Sequence, residues 1–420
     1  YKNLSEEKEI LYGKAFSLYF ENNYFDSINV CKKIVEFREF KFSIQDLLAS
    51  NFKKQKKFLD ALKLYKQKLK EKKNHLVFYN IGLLFSELGR TRIAKYYFNK
   101  CREIKKDDHT NLFSLALCKL KLKDFENGFL LYENRFKKQN PIELKFQHIK
   151  SPNFLSEIKD KKILIWDEQG LGDTLQFSRF VIDLLKFTDQ ITFVVNSKLS
   201  QILSGLDKNI LVKSYDNLNS ENFDYQIPLC SLPKYLDIKT TEEINFFSLK
   251  YINKFDNHLL LDNKKLNIGI AWSGNKEYFL DTYRSIPFKY FKNILNLKDI
   301  NFFKLSKDLR DGDKDTFTLY PNLIDLSNRS LAEVSEYIIH LDLVISSDTS
   351  IIHLAGILNK KSILLLNYNS DWRWFDGINK TVWYPSVQVI KQNKFNSWNE
   401  VFIRLKKKLE NLKLDKKKPE

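Results

Sequence analysis

The sequence predicts an α + α/β chain: a helical-repeat solenoid followed by two parallel-sheet α/β halves in series. Three observations carry that reading. Small and large apolar residues recur at a near-constant spacing through the first third of the chain. Beyond a Pro-bearing polar stretch, short apolar runs alternate with helical segments. That alternation then starts again near residue 258.

The repeats come first. In "YNIGLLFSELGRTRIAKYYFNKC", Gly82 is followed by Ala94 and then Phe98, the small and large apolar residues that let two antiparallel helices interlock. Laid along the chain, the pattern starts near Lys8, Phe42, His75 and His109, at spacings of 34, 33 and 34 residues. The small residue of each first helix is Ala15, Ala49, Gly82 and Ala116. That of each second helix is Ser27, Ala61, Ala94 and Gly128, followed by Cys31, Tyr65, Phe98 and Tyr132. Four such registrations resemble tetratricopeptide repeats over residues 1–140, which form a superhelix with a concave groove for peptides or partner proteins. The alternative is a helical scaffold that only packs on the rest of the chain.

A polar linker at 141–160 ends the repeats. "KKILIWDEQG" then reads as a strand running into a glycine loop, and "TLQFSRFVIDLLKF" as the helix after it. "ITFVVN", "NILVKSY" and "FDYQIPL" are further strands, completing a first Rossmann-like half over 161–257. "NIGIAWSGN", "INFFKLS", "LDLVISSDTS" and "KSILLLNY" are the strands of a second half over 258–412. Its closing helix carries the apolar stripe Phe402, Leu405, Leu409, Leu412. A disordered tail is expected at 413–420. Two such halves place a cleft at the carboxyl ends of both sheets.

Composition narrows the function. With 420 residues, 43% hydrophobic and 14% aromatic, the chain can bury sizeable cores in two or three domains. The formal charge of +18 suits an anionic partner. The lysines are spread along the whole chain, however, and Lys, Asn, Ile and Phe are abundant together, as under a genomic base-composition bias. Nucleic acid is therefore not an expected partner, whereas anionic substrates or peripheral contact with an acidic membrane face remain open. Cys31, Cys101, Cys118 and Cys230 form no CxxC pair, so buried thiols, no metal and a reducing cytoplasmic compartment are expected. Apolar runs such as Ile363–Leu366 are too short to span a bilayer.

The loops at the strand ends carry the chemistry. In "SSDTSIIHLAG", Thr349 and Ser350 open a helix whose N–H groups and dipole favour an anion, although plain N-capping by Ser347, Asp348 or Thr349 is the alternative. In "WSGNKEYFLDTYRSIPF", Gly274 and Asn275 allow a tight turn, Ser273 and Asn275 are candidate donor-binding residues, and Arg284 is a candidate diphosphate ligand or else a surface arginine. Lys307 lies past another strand end as a weaker candidate. In "WDEQGLGDTLQFSRF", Gly170 and Gly172 allow close backbone approach, and Asp173 is either a general base or a helix cap. There is no P-loop, HExxH or GxGxxG with its acid, which argues against hydride transfer. Phosphate-holding groups in one half and an acid in the other suit group transfer from a nucleotide-activated donor. No acidic pair is placed to hold a metal, so cations and dipoles would take the leaving charge, with no cofactor beyond the donor itself.

These residues resemble a known group. "SSDTSIIHLAGILNKKSILLL" is similar to the D-T-G-x-x-H-L-A element of the heptosyltransferases (glycosyltransferase family 9), which are inverting GT-B enzymes. Bacterial proteins that fuse tetratricopeptide repeats to such a domain carry the pattern of Glu168–Arg179 together with W-S-G-N, R-S-I-P, D-W-R-W and W-Y-P-S. Here these stand at Trp272–Asn275, Arg284–Pro287, Asp371–Trp374 and Trp383–Ser386. The plan also resembles O-GlcNAc transferase. The resemblance implies a GT-B fold with Asp173 as catalytic base and Asp348 at the donor sugar. It puts Thr349 and Ser350 at the diphosphate, Arg284 as its cation, and His353 one turn into the helix, there as donor-side or packing residue. Gly172, Gln169, Gln176 and Trp372 join the candidate pocket. Ser350 replaces the family's Gly, and D-W-R-W is absent from true heptosyltransferases, so the resemblance implies hexosyl- or heptosyl-type transfer without fixing heptose as the donor. Its aromatics either stack on a base or sugar or fill space beside the closing helix. The expected function is metal-independent glycosyl transfer to a protein, such as a flagellar or surface protein, or to a surface glycan. The repeats would recruit that acceptor in the bacterial cytoplasm or at the inner membrane face. The alternative is a repeat scaffold that has lost catalysis.

Overall fold

The computed structural model describes residues 2–35, 41–218, 222–249, 261–262, 264–277, 281–307, 310, 313, 319–377, 380–395 and 397–416. The chain divides into two compact units. One comprises residues 1–122 with 137–139, and the other 123–136 with 140–420. The sequence boundary at 140 thus cuts one hairpin differently, because the last repeat helix and the turn after it belong to the second unit.

The first unit is built of antiparallel helix pairs: α1 (Lys2–Phe20) with α2 (Tyr24–Ile34), α3 (Lys41–Lys54) with α4 (Phe58–Glu71), α5 (His75–Glu87) with α6 (Thr91–Ile104), then α7 (His109–Lys121). The small positions work as the repeat pattern requires. Ala15, Ala49, Ala61, Ala94 and Ala116 are fully buried. A Cβ added to Gly82 would come within 2.5 Å of the Phe98 ring, so only glycine lets these two helices close. Each turn within a hairpin passes through one left-handed residue: Asn22 (φ 63°), Lys56 (φ 60°), Gly89 (φ 66°) and, at the head of the second unit, Lys123 (φ 64°). That is the helix-ending conformation glycine favours, and three of the four repeats adopt it with a side chain present.

The second unit opens with α8 (Phe125–Tyr132) and a 3-10 turn, Glu133–Phe136. Its first half is a four-stranded parallel sheet in the order β3-β2-β1-β4, with β1 (Ile163–Trp166), β2 (Ile191–Val195), β3 (Ile210–Ser214) and β4 (Tyr225–Pro228). α9 (Leu171–Phe177), α10 (Arg179–Asp183) and α11 (Ser197–Leu203) follow β1 and β2. The stretch expected as a polar linker is partly apolar packing, since Leu144, Phe146 and Ile149 cover Leu164 and Trp166.

The second half is a six-stranded parallel sheet, β10-β9-β8-β5-β6-β7. Its strands are β5 (Leu266–Ala271), β6 (Ile300–Lys304), β7 (Leu323–Asp325), β8 (Leu343–Ser346), β9 (Ser362–Leu366) and β10 (Val387–Lys391). Central strands are buried on both faces and read as continuous apolar runs, as parallel sheets require. The strand order reverses at β1-β4 in the first sheet and at the central pair β8-β5 in the second, the switch points outside which such sheets take ligands. The architecture is α + α/β: tetratricopeptide-type hairpins, then two Rossmann-like halves in the GT-B plan.

The C-terminal helix Asn399–Lys416 seats Phe402, Leu405 and Leu409 in the second core with Leu412 at its margin. It runs four residues into the expected tail at 413–420, where Lys413 reaches Asp299, and residues 417–420 lie outside the described ones. All four cysteines are buried and free. Among the described residues no helix is long and apolar enough to cross a membrane.

Candidate active site

The site lies where the two halves meet, at the carboxyl ends of β1 and β8. α9 packs on the helix Ser350–Ile357. The approach is close because residue 172 has no side chain. A Cβ there would stand 2.9 Å from the His353 ring and 3.6 Å from the Ser350 Cα.

The N-terminus of α9 is closed. The Asp173 carboxylate accepts the Gly170 N–H at 3.0 Å, and its other oxygen pairs with the Arg373 guanidinium. The sequence alternatives of cap and acid therefore coexist in one side chain, held by a partner 200 residues away. The N-terminus of the helix Ser350–Ile357 is open. Its N-cap, Thr349, makes no side-chain cap hydrogen bond; the hydroxyl instead pairs with Ser346 Oγ at 3.1 Å. Ser347 and Asp348 do not cap it either, so the capping alternative is not realised. The buried Ser347 hydroxyl has no hydrogen-bond partner.

Around that open end the charges are uneven. Burial, then repulsion from Asp371, pushes the Asp348 carboxyl up to about 6, with Arg284 and Arg373 opposing. His353 is buried, stacked on Trp374 (5.2 Å between centroids) and joined to the Tyr384 hydroxyl at 2.9 Å through Nδ1. Burial and the nearby Arg373, Arg179 and Arg284 push its imidazole down to about 3, so the ring is neutral, and its Nε2 lies 3.9 Å from Asp348.

Arg284 is no stray surface arginine. Its guanidinium lies over Gly274, where an added Cβ would meet Nη2 at 2.6 Å, and its Nε reaches Asp281 at 3.3 Å. Arg310 shares the same Asp281 carboxylate and donates to the Gly274 carbonyl at 3.1 Å. The Ile286 N–H ties this loop back to the Trp272 carbonyl at 2.8 Å. Ser273 is buried, whereas Asn275 is exposed and only caps its own turn by accepting the Glu277 N–H. Lys307 is exposed just beyond β6, and no described contact joins it to the cluster.

Of the three weaker pocket candidates, two turn toward α8 and the third is buried. The Gln169 amide is engaged by the Tyr132 hydroxyl, with Nε2 at 2.9 Å, so it faces α8. Trp372 is buried against Phe129, Tyr132, Phe177 and Trp383, which makes it filler between α8 and α9 rather than a stacking platform or a neighbour of the closing helix. Gln176 is fully buried, and neither atom of its amide has a partner.

Sequence reading missed the groups that hold this site. Arg135, fully buried after α8, makes a bidentate pair with Glu168 at 2.9 Å through Nε and Nη2, and bonds Ser231 at 2.7 Å. Burial pushes the Glu168 carboxyl above its usual range against the pull of that guanidinium. Arg179 donates to the Trp383 carbonyl at 2.8 Å and so latches the first half to the second. The only signal for Arg135 is a lone arginine in the apolar run "LLYENRF". Among the described residues, no group of three or more His, Cys, Asp and Glu side chains is gathered as a metal site requires.

No protein-family model and no curated protein matches the sequence. Solved structures do match. An ADP-heptose LPS heptosyltransferase II from E. coli is 12% identical over 61% of this chain and 100% of its own, with TM-score 0.43. A family 9 glycosyl transferase from Veillonella parvula is 13% identical over 62% and 99%, with TM-score 0.45. An O-GlcNAc transferase mutant from Thermobaculum terrenum is 10% identical over 98% of this chain and 92% of its own, with TM-score 0.34.

Proposed function

We propose that the chain is an inverting, metal-independent glycosyltransferase that moves a sugar from a nucleotide-activated donor to a protein or surface-glycan acceptor recruited by the repeats. One observation carries this reading: the uncapped N-terminus of the helix Ser350–Ile357 abuts the Gly172–Asp173 turn of the other half. A helix N-terminus suited to an anion and the Asp173 carboxylate then flank one point.

The acceptor hydroxyl passes its proton to the Asp173 carboxylate while its oxygen attacks the anomeric carbon. The bond from that carbon to the diphosphate oxygen breaks on the opposite face, which inverts the centre. The charge gained by the leaving diphosphate falls on the N–H groups of Ser350 and Ile351 and on Arg284. Asp348 would face the donor sugar.

One observation favours a second reading, a scaffold without catalysis: both Asp173 oxygens are already engaged, by Gly170 and Arg373. A thermal-shift screen of nucleoside diphosphates and nucleotide sugars separates the two, since a ligand that binds the folded state raises its apparent stability. Stabilisation by one nucleotide class, with release of that diphosphate from its nucleotide sugar, supports the transferase. No response to any member of the panel leaves the scaffold.

A further inference from the structure

We propose that Arg373 is a donor-operated switch on Asp173. In the free protein its guanidinium holds the Asp173 carboxylate, and a diphosphate arriving at the helix Ser350–Ile357 draws it away and frees that carboxylate for the acceptor. The inference rests on the transferase reading above.

Geometry supports it in three ways. First, Arg373 spans both halves: Nη2 pairs with Asp173, Nη1 with Asp371 at 2.8 Å, and the guanidinium lies 4.6 Å over the Trp372 ring. Its Nε is buried without an acceptor, so one donor of the fork is unspent. A diphosphate oxygen is a strong acceptor for such a fork.

Second, the backbone carrying Arg373 is pinned. Phe375, two residues on, adopts φ 46°, a strained conformation for a bulky residue, and is held by stacking on Trp383 at 6.1 Å. The Trp383 indole N–H donates to the Arg373 carbonyl at 2.7 Å. A turn pinned on both sides sets the guanidinium against Asp173, so any release of that pair has to come from the side chain rather than the backbone.

Third, each Asp173 oxygen carries one partner, Oδ2 the Gly170 N–H and Oδ1 the Arg373 guanidinium, so drawing the guanidinium away would clear the Oδ1 side for an acceptor hydroxyl. Holding the carboxylate until the donor is seated would also keep water from being activated against an empty or half-filled site.

The test is reciprocal competition, since two groups that share one cation must weaken each other. ADP, UDP, GDP and CDP are titrated calorimetrically into the full chain, and the tightest is carried forward. Asp173→Asn keeps an oxygen for the Gly170 N–H but gives up the charge. It is expected to tighten diphosphate binding about tenfold, equivalent to roughly 1.4 kcal/mol of released pairing. Arg373→Gln is expected to weaken binding by a similar factor, and Asp173→Asn added to it to bring no gain. Arg373→Lys, which keeps the charge, guards against misfolding and should retain part of the affinity and the coupling. If Asp173→Asn leaves affinity unchanged or weaker in the wild-type background, the switch is wrong even if transfer is lost. If none of the four nucleotides binds the wild type, both the switch and the transferase reading fail.

Discussion

Two helix N-termini meet within the second unit and are finished in opposite ways. α9 is closed by its own acid, because Asp173 returns to the Gly170 N–H and takes Arg373 as counter-ion. The helix Ser350–Ile357 has a hydroxyl residue at its N-cap that turns aside to Ser346 and leaves the first N–H groups without a side-chain acceptor. A capped end stabilises a fold; an uncapped one inside a crevice offers a place for a negative ligand. In the proposed mechanism the contrast divides labour, with base chemistry on the closed side and anion binding on the open side.

The largest effect should come from the closed side. Asp173→Asn is expected to lower transfer by about 10²- to 10⁴-fold, the usual worth of a positioned base, with the nucleotide still bound. Equal losses of transfer and of nucleotide binding would mean that Asp173 only shapes the site. Next is the support beneath that loop. Arg135→Ala leaves Glu168 as a buried, unpaired carboxylate beside the glycine turn, and a destabilisation of about 3–5 kcal/mol is expected in denaturant unfolding. An effect near zero would show that α8 and the turn after it do not hold the closed end.

The open side should titrate. The Asp348 carboxyl, raised by burial and Asp371, favours the folded state in its protonated form. Its contribution is therefore full below the ordinary carboxyl range and is lost as pH rises through about 6. The His353 imidazole, lowered by burial to about 3, acts in the other direction: its contribution is full above its ordinary value near 6.5 and is lost as pH falls from there. Melting temperatures from pH 5 to 8 should thus respond to Asp348→Asn on the alkaline side, where the variant avoids the cost of an ionised Asp348. A variant that parallels the wild type across that range would remove Asp348 from the account. The smallest effect is a change of the cap itself. Thr349→Asp places a carboxylate at the open end, which should add about 0.5–1 kcal/mol of stability and weaken nucleotide binding. Unaltered binding would place the anion elsewhere.

The parts legible in the sequence were those governed by local sterics. Small residues recur every 33 or 34 positions because helix hairpins cannot close otherwise, as Gly82 against Phe98 shows. Apolar runs ending in glycine or hydroxyl residues located β1, β8 and their loops, and so brought Asp173, Gly172, Thr349 and Ser350 to one place. The sequence leaves Arg284 as either a diphosphate ligand or a surface arginine, and its seat over Gly274 depends on how the loop folds back. What stayed hidden depends on pairing across long stretches of chain. Arg373 meets Asp173 and Arg179 meets Trp383 only after both halves have folded, and no local pattern encodes such meetings. The same holds for Gln169 and Trp372, which turned toward α8 because the last repeat helix folds with the second unit. A polar residue near a glycine loop looks like a ligand until its neighbour is known.

The central claim is that the open helix end receives the donor's diphosphate. A crystal structure with the tightest-binding nucleoside diphosphate tests it most directly. The expected result is phosphate oxygens within hydrogen-bond distance of the Ser350 and Ile351 N–H groups, with the Arg373 guanidinium turned from Asp173 toward them. A diphosphate bound away from the helix Ser350–Ile357, with the Arg373–Asp173 pair intact, would contradict it.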